Sequence, residues 1–562
     1  MNIKNTIKTT NYVATGFVYA CASLAQVAPD AGSILREQQK PTLELPTRPA
    51  PSIKLEEAAR PALKPSAARF ALKGFRISGN TAFMQVELLV LVQDYVGKEV
   101  SFSDLEAAAA RISHYYRERG YLVARAYLPT QDIEDGVVEI AVIEGRFGKI
   151  NLNNATRVRD GVARGYTESL RGTVVHEPAI ERQLLLLDDL AGVGEARATL
   201  RPGANVGETD LEVELIGEPP VTGSLEFDNQ GNRFSGMNRL TGKLNLLSPL
   251  GLGDSFGAWL TKGFDGLEYG RLAYQIPLGG DGLKLGAAYS NTRYRLGRNF
   301  VALDASGESD TYTLGVSYPF IRTRGFNLYG QVAYDWRDFQ DRIGSTATVT
   351  DKHTRLATFT LSGDARDALG EGGVSVFSLA YTGGRLNIET PLARANDDAS
   401  ARTNGHYGKW NLNVLRLQNL GGLLSAYFSL TAQATDKNLD SSEKFILGGA
   451  NGVRAYPQGE ASGDSGYIVT AELRYTATVA ALPGVLQPFV FFDSGSVTIN
   501  ENSFAATANH RRLSGAGFGV IWTKANDFQV KITFATRVGS QPSVSSDTDR
   551  HTHIWVQAVK YF

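Results

Sequence analysis

The sequence predicts a mainly β protein: a transmembrane antiparallel β-barrel of about sixteen strands, residues 219–562, preceded by two small α+β modules. Three observations carry this prediction. From about Val221 onward helical periodicity gives way to strict two-residue alternation. Connections alternate between short turns, such as 279–282, and long polar loops near 295–309, 389–404 and 439–466. No run of about eighteen or more apolar residues occurs, which excludes membrane-spanning helices and leaves strands.

The alternation is visible strand by strand. Phe528, Val530, Ile532 and Phe534 face one way and Gln529, Lys531 and Thr533 the other. Leu424, Ala426, Phe428 and Leu430 oppose Ser425, Tyr427, Ser429 and Thr431, and Val469, Ala471, Leu473 and Tyr475 oppose Thr470, Glu472 and Arg474. A soluble sandwich has the same period, but its apolar face needs a second layer to cover it. The length of the array and the unequal loops point to lipid as the cover and to a polar lumen. A barrel of this size encloses an aqueous channel unless something fills it.

Ahead of the barrel, Lys4 and Lys8, an apolar stretch from Tyr12 to Leu24, and Ser23-Leu24-Ala25 as a small-residue cleavage site read as an export leader, residues 1–25. Cys21 is the only cysteine and lies within that leader, so a chain cut after Ala25 is expected to form no disulfide. Residues 26–40 are expected to hold a short plug helix, Asp30 to Lys40, stopped by Pro41 and too short to be stable without a surface to dock on. Pro41, Pro46, Pro49, Pro51, Pro61 and Pro65 make residues 41–67 an extended tether.

Residues 68–146 read as β-α-α-β-β. Phe70 to Ile77 alternates as a strand, Phe83 to Tyr95 has helical spacing, and Ser103-Asp-Leu-Glu106 is expected to cap a helix with Leu105, Ala109, Ile112 and Tyr116 on one face. Gly120 ends it, and strands at Leu122 to Leu128 and Val137 to Ile143 close the module. Residues 147–218 repeat the order: a strand at Lys149 to Leu152, a helix near Val158 to Leu170, and a helix opened by Pro178 with Ile180, Leu184, Leu187 and Leu190 inward. Gly192 or Gly194 is expected to cap that helix, and strands follow at Ala196 to Leu200 and Leu211 to Ile216. Modules of this order leave sheet edges open to a strand from another chain.

The 57 basic and 58 acidic residues nearly cancel, so no bulk field draws the protein to nucleic acid. The chemistry concentrates in Leu447-Gly-Gly-Ala-Asn-Gly-Val-Arg-Ala-Tyr456, a glycine-rich run with one arginine inside a long loop, and in Phe491-Phe492-Asp493 one hairpin further on. The candidate site residues are Gly448, Gly449, Val453, Arg454, Tyr456, Phe491 and Asp493. By strand alternation Phe491 and Asp493 share the lumenal face while Val490 and Phe492 face lipid. The plain alternative is a solvated arginine on a surface loop. No catalytic site, metal site or cofactor is expected: His551 and His553 share a face but lack a third ligand, and no Gly-x-x-x-x-Gly-Lys phosphate loop occurs.

The tandem modules resemble POTRA domains. With the leader, the plug helix, the tether and the barrel, the chain resembles the two-partner secretion transporters of the ShlB/FhaC/HecB family of haemolysin secretion/activation proteins, the TpsB proteins. Val453-Arg454-Ala455-Tyr456 and Phe491-Phe492-Asp493 match that family's V-R-G-[YF] loop motif and F-x-D strand motif, with Ala455 in place of the usual glycine. The resemblance implies a translocator rather than an enzyme. It would sit in the outer membrane with its POTRA domains in the periplasm, bind a TpsA-type exoprotein (haemolysin or adhesin) there, and secrete it without nucleotide hydrolysis. Its other implied partners are outer-membrane lipids and, through the terminal Tyr561-Phe562, the barrel-assembly machinery; Lys560 stands where a further aromatic is usual. The alternative is a BamA-related assembly factor, a group with more POTRA domains and no plug.

Overall fold

The computed structural model describes residues 28–39, 52–56, 69–133, 135–506, 508–545 and 549–562. The expected leader and most of the proline-rich tether lie outside these residues. Helix α1 (Ala31–Gln38) starts at a reciprocal cap: Ser33 N–H donates to Asp30 Oδ1 and Asp30 N–H donates to Ser33 Oγ, both at 2.9 Å. Strand β1 (Ser52–Leu55) corrects the reading of the tether, because this piece of it pairs, parallel and residue for residue, with Arg197 to Leu200 of the second module.

The first module contains β2 (Arg69–Ala71), β3 (Gly74–Ser78), α2 (Gln85–Val90), β4 (Glu99–Ser101), α3 (Phe102–Glu118), β5 (Arg125–Tyr127) and β6 (Val137–Ile143). The expected single strand from Phe70 to Ile77 is two strands in different sheets. Leu72 N–H donates to Lys98 carbonyl and Lys73 N–H to Gly136 carbonyl, which turns the chain from the β2–β4 ribbon into the β3-β6-β5 sheet. The expected helix from Phe83 to Tyr95 is the shorter α2 followed by a 3-10 turn at Gln93–Tyr95. The cap of α3 also lies two residues earlier than expected, at Ser101, whose N–H donates to Asp104 Oδ2 at 2.8 Å. Leu105, Ala109, Ile112 and Tyr116 form the buried face of α3 against the sheet.

The second module contains β7 (Arg146–Ala155), α4 (Asp160–Thr167), α5 (Glu177–Asp188), β8 (Val193–Pro202) and β9 (Glu208–Gly217), in sheet order β1-β8-β9-β7. Ile180, Leu184, Leu187 and Leu190 pack against Ala196, Ala198 and Leu200. The C-cap of α5 is Asp189, neither of the glycines expected; Gly192, at φ 95°, makes the turn into β8, and Gly194 lies inside that strand.

Among the described residues a closed barrel follows, built of β10 (Val221–Asp228), β11 (Arg239–Leu247), β12 (Ser255–Gly263), β13 (Glu268–Leu278), β14 (Leu283–Arg295), β15 (Ala305–Arg322), β16 (Phe326–Ile343), β17 (Thr348–Asp367) and β18 (Gly373–Ile388). Helix α6 (Pro391–Ala399) lies in the next loop, before β19 (Gly405–Gly421) and β20 (Leu424–Thr435). Loop 436–464 carries its own ribbon, β21 (Phe445–Ile446) with β22 (Ser462–Gly463). Strands β23 (Ser465–Tyr475), β24 (Val485–Thr498), β25 (His510–Lys524), β26 (Phe528–Arg537) and β27 (Thr552–Tyr561) complete the 16-strand wall. It closes where β10 meets β27 antiparallel, Ser224 to Asp228 against Tyr561 to Gln557. Because β14 and β15 run beyond the expected bounds, the loop expected at 295–309 shrinks to 296–304.

The second module sets the periplasmic end of the barrel. Arg322 grips Asp189 through two nitrogens, both at 2.8 Å, Lys284 Nζ donates to the Asp189 carbonyl at 2.8 Å, and Arg159 N–H donates to the Gly251 carbonyl at 2.9 Å. The loops at the opposite end, 436–464 among them, are therefore on the far side of the wall.

Candidate functional site

Loop 436–464 folds back into the lumen, and its tip is shaped by glycine. Gly448 N–H donates to the Glu460 carbonyl at 2.9 Å and Val453 N–H to the Leu447 carbonyl at 2.9 Å. Gly449 sits at φ 130° with no room for a side chain beside Gln458. Val453, Ala455 and Tyr456 are completely buried, packed with Leu447 against Ile468, Phe489, Phe491 and Leu513 of the wall.

This packing aims Arg454 at β24. Its Nε donates to Asp493 Oδ2 and its Nη2 to Asp493 Oδ1, both at 2.8 Å, the two-pronged geometry that suits a guanidinium to a carboxylate. Its backbone N–H also donates to Asp493 Oδ2, at 3.1 Å, and its carbonyl accepts from Trp555 Nε1 at 2.7 Å. The guanidinium lies 3.5 Å from the centre of the Phe491 ring. On β24 Phe491 and Asp493 face inward, while Val490 and Phe492 are 56% and 46% exposed on the outer face. The structure thus brings Val453, Arg454, Tyr456, Phe491 and Asp493 together, with Gly448 and Gly449 shaping the approach.

Besides Trp555, two further residues shape the site most directly. Glu472 accepts from Arg454 Nη1 at 2.6 Å and pairs in turn with Arg474 at 2.6 Å. Its inward parity between Thr470 and Arg474 was the available signal in the sequence, and Thr470 itself donates to Asp493 Oδ1 at 2.9 Å. The other is Gly515, directly across from Asp493. A Cβ on Gly515 would lie 2.5 Å from the Cβ of Ala455, so the space that a loop glycine would supply at 455 is supplied by the wall. The side chains of Arg454 and Asp493 are 5% and 0% exposed, so the solvated-arginine alternative does not describe this residue.

The root of the same loop holds α1. Helix α1 lies inside the barrel against β14, β15 and β16, with Ala31, Ile34 and Leu35 packed on Tyr294, Leu296 and Phe339. Asp30 Oδ2 accepts from Lys352 Nζ at 3.0 Å and from Ser441 Oγ at 2.6 Å, and Lys352 also reaches Asp440 at 2.8 Å. Burial raises the Asp30 carboxyl, but Lys352 and these donors outweigh it and bring the group down to about 2. Arg36 Nε donates to the Lys444 carbonyl at 3.3 Å. Glu443, held at 2.8 Å by both Arg337 and Lys409, joins the loop root to β16 and β19. A side chain at Gly32 would collide with Ser441 and Ser442, so the helix meets the loop backbone to backbone.

The sequence model of the family described as haemolysin secretion/activation protein ShlB/FhaC/HecB matches residues 207–521, and that of the ShlB-type POTRA domain matches residues 70–145. The heme/hemopexin transporter protein HuxB of Haemophilus influenzae is 28% identical, with 98% of each chain covered. The outer membrane transporter CdiB of Dickeya dadantii is 25% identical over 80% of each chain. Of solved structures, CdiB from Escherichia coli matches with a TM-score of 0.72 at 20% identity, over 95% of this chain and 96% of that one. BamA from Haemophilus ducreyi lacking POTRA domains 1-3 matches at 0.52 and 13% identity, over 88% of this chain and 100% of that one. The likenesses to these two structures are of fold alone.

The contacts of α1 generate one prediction. Deleting residues 30–40 raises single-channel conductance in planar bilayers, and Lys352→Ala, which strands Asp30 and Asp440 together, raises the frequency of open events. Unchanged conductance in the deletion would show that α1 does not limit the channel.

Proposed function

Because the chain belongs to the haemolysin secretion/activation protein family ShlB/FhaC/HecB, we propose that it carries a TpsA-type exoprotein, haemolysin or adhesin in kind, from the periplasm across the outer membrane. The protein is an outer-membrane two-partner secretion transporter, with POTRA domains on the periplasmic side of a 16-strand barrel. The observation that carries the finer reading is that two segments outside the barrel wall, α1 and the tip of loop 436–464, occupy the lumen and are joined through the loop root. In this reading α1 withdraws to admit an extended client, while the Arg454 clamp holds the loop tip against β23, β24 and β25 as one side of the conduit.

Client recognition falls to the two modules. In the first, among the described residues β5 pairs only with β6, which leaves a strand edge open to an extended chain, and α2 adds an exposed apolar surface at Val86 and Val90, with Met84 at its start. In the second, β1 already covers the edge of β8, so a client strand joining there displaces it. HuxB aligns over nearly the whole of both chains, so a haem- or haemopexin-binding exoprotein is the first client to test. During biogenesis the chain end, where Phe562 and Gly223 exchange backbone hydrogen bonds at 2.8 and 3.1 Å, is the segment offered to the barrel-assembly machinery.

Two experiments separate the parts of this reading. Arg454→Ala and Asp493→Ala each reach the membrane at near-normal level and secrete poorly, since removing one partner of a shielded pair costs roughly 3–5 kcal/mol. Arg454→Ala is the more severe because it strands the buried Asp493 and leaves Glu472 with Arg474 alone, and the double variant is no worse than Arg454→Ala. Normal secretion by both single variants would remove the clamp from the mechanism. Separately, a fragment of residues 68–218 binds the N-terminal domain of the client, and Val86→Asp with Val90→Asp weakens that binding. A folded fragment that fails to bind a domain the full chain binds would place recognition in the barrel.

A further inference from the structure

On the outer surface of the barrel, near the extracellular ends of β16 to β19, the cross-strand registers set three tiers of side chains. The upper tier runs Trp336, Arg355, Arg385, His406, each directly opposite the next on adjacent strands. The tier below it is Tyr334, Ala357, Gly383, Gly408, and the third is Val332, Phe359, Tyr381, Trp410. All three point away from the lumen: Phe359 and Trp410 are 59% and 51% exposed, whereas Thr354, Leu356 and Leu386, of the opposite parity, are buried.

At Ala357 and Gly383 the middle tier is nearly bare backbone, which opens a recess of about 680 Å³ lined by Tyr334, Arg355, Ala357, Gly383, Arg385 and His406 among others. Above it stand two arginines face to face. Like charges directly opposite on neighbouring strands repel, yet among the described residues the side chains of Arg355 and Arg385 have no hydrogen-bond or ion-pair partner. The nearby acids are engaged elsewhere or misplaced: Glu389 holds His353 Nδ1 at 3.0 Å, and Asp338 lies across from His353, one tier above the arginines. From Ala365 at the periplasmic end to Arg355, a strand tilted by about 40° rises roughly 25 Å, the height of the apolar band of such barrels. The arginines therefore stand where the outer leaflet's acyl chains end and its headgroups begin, level with Trp336, which packs on Tyr334 at 4.4 Å, and above the Tyr381–Trp410 pair at 4.9 Å.

We propose that this recess binds the phosphorylated headgroup of an outer-leaflet glycolipid, its phosphate bridging Arg355 and Arg385, its sugar seated over Ala357 and Gly383, and its acyl chains lying on Phe359, Tyr381 and Val332. A phosphate between the two guanidiniums converts their repulsion into charge-assisted hydrogen bonds, and the flat guanidinium suits a phosphate's oxygens. Ala357 and Gly383 leave room for a ring that a larger side chain at 383 would fill, while the Tyr381 ring lies over Gly408 and bounds the recess on that side. Such a lipid would brace β16 to β19, whose inner faces carry Arg337, Lys352 and Lys409, the contacts of the loop root and of α1.

The test uses the full-length protein in neutral detergent, with diphosphorylated lipid A as the probe. Native mass spectrometry or a fluorescence titration is expected to show binding that weakens roughly tenfold or more in Arg355→Ala/Arg385→Ala and falls with added salt. Lipid A stripped of its phosphates, and inorganic phosphate alone, are expected to bind no better than the double variant binds the probe. Arg416→Ala, on the periplasmic half of β19 and paired to Asp367 at 2.8 Å, serves as a control that leaves binding unchanged. Arg385→Gln provides a milder variant, and heat-modifiable migration confirms folding of each. Equal binding by the wild type and by the folded arginine variants, or equal binding of the stripped lipid, would identify the arginines as a solvated basic patch and overturn the proposal.

Discussion

A guanidinium with 5% of its side chain exposed must be met by carboxylates, and in this barrel the placement of the long loop follows from that requirement. Arg454 is met by Asp493 on β24 and Glu472 on β23, with Arg474 balancing the second carboxylate. An exposed pair is worth about 0–1 kcal/mol, too little to hold a loop that spans 436–464; a shielded one commits the loop because each separated charge would be stranded in a poorly solvated place. The apolar tip and the clamp depend on each other. Val453, Ala455 and Tyr456 exclude water from the charges, and the charges fix which way those side chains pack.

The same loop carries a second electrostatic layer at its root. Asp440, Ser441 and Glu443 meet Lys352, Asp30, Arg337 and Lys409, so that α1, the loop and three barrel strands share one network. Lys409 and Arg337 outweigh the effect of burial on Glu443 and hold its carboxyl down to about 2, below the usual carboxylate range. Helix α1 is short, and its apolar face alone offers only Ala31, Ile34 and Leu35. Its retention in the lumen therefore leans on Asp30 and Arg36, both of which bond to the loop root, and any motion of that root is felt by the helix.

The barrel was legible because its signal is local: residues two apart share a face, and the same period repeats along every strand. The tip was legible for a different reason, since one arginine among glycines in an otherwise polar loop stands out by composition. What escaped depends on partners distant in sequence. Nothing within Ser52 to Leu55 names β8 as its neighbour, and the break at Leu72 and Lys73 is set by the carbonyls of Lys98 and Gly136. The cap at Ser101 and the one expected at Ser103 have the same spacing to an acid, and the ribbon that β4 forms with β2 fixes which is used. Glu472 looked like any inward polar residue, and Gly515 like any strand glycine. Only the pairing of β23, β24 and β25 reveals that one completes the arginine's shell and the other makes room for Ala455.

The claim that Arg454 pins the loop tip is tested most directly by amide hydrogen exchange on the intact protein. The amides of Leu447, Gly448 and Val453 are bonded within the loop and that of Arg454 to Asp493 itself. In the wild type, peptides covering 447–456 are expected to exchange as slowly as those of β23 and β24. Asp493→Asn, which keeps the shape and removes the charge, is expected to speed exchange in 447–456 on the order of tenfold or more while leaving β24 and β25 protected. Rapid exchange of 447–456 in the wild type, or protection unchanged by the substitution, would contradict the account.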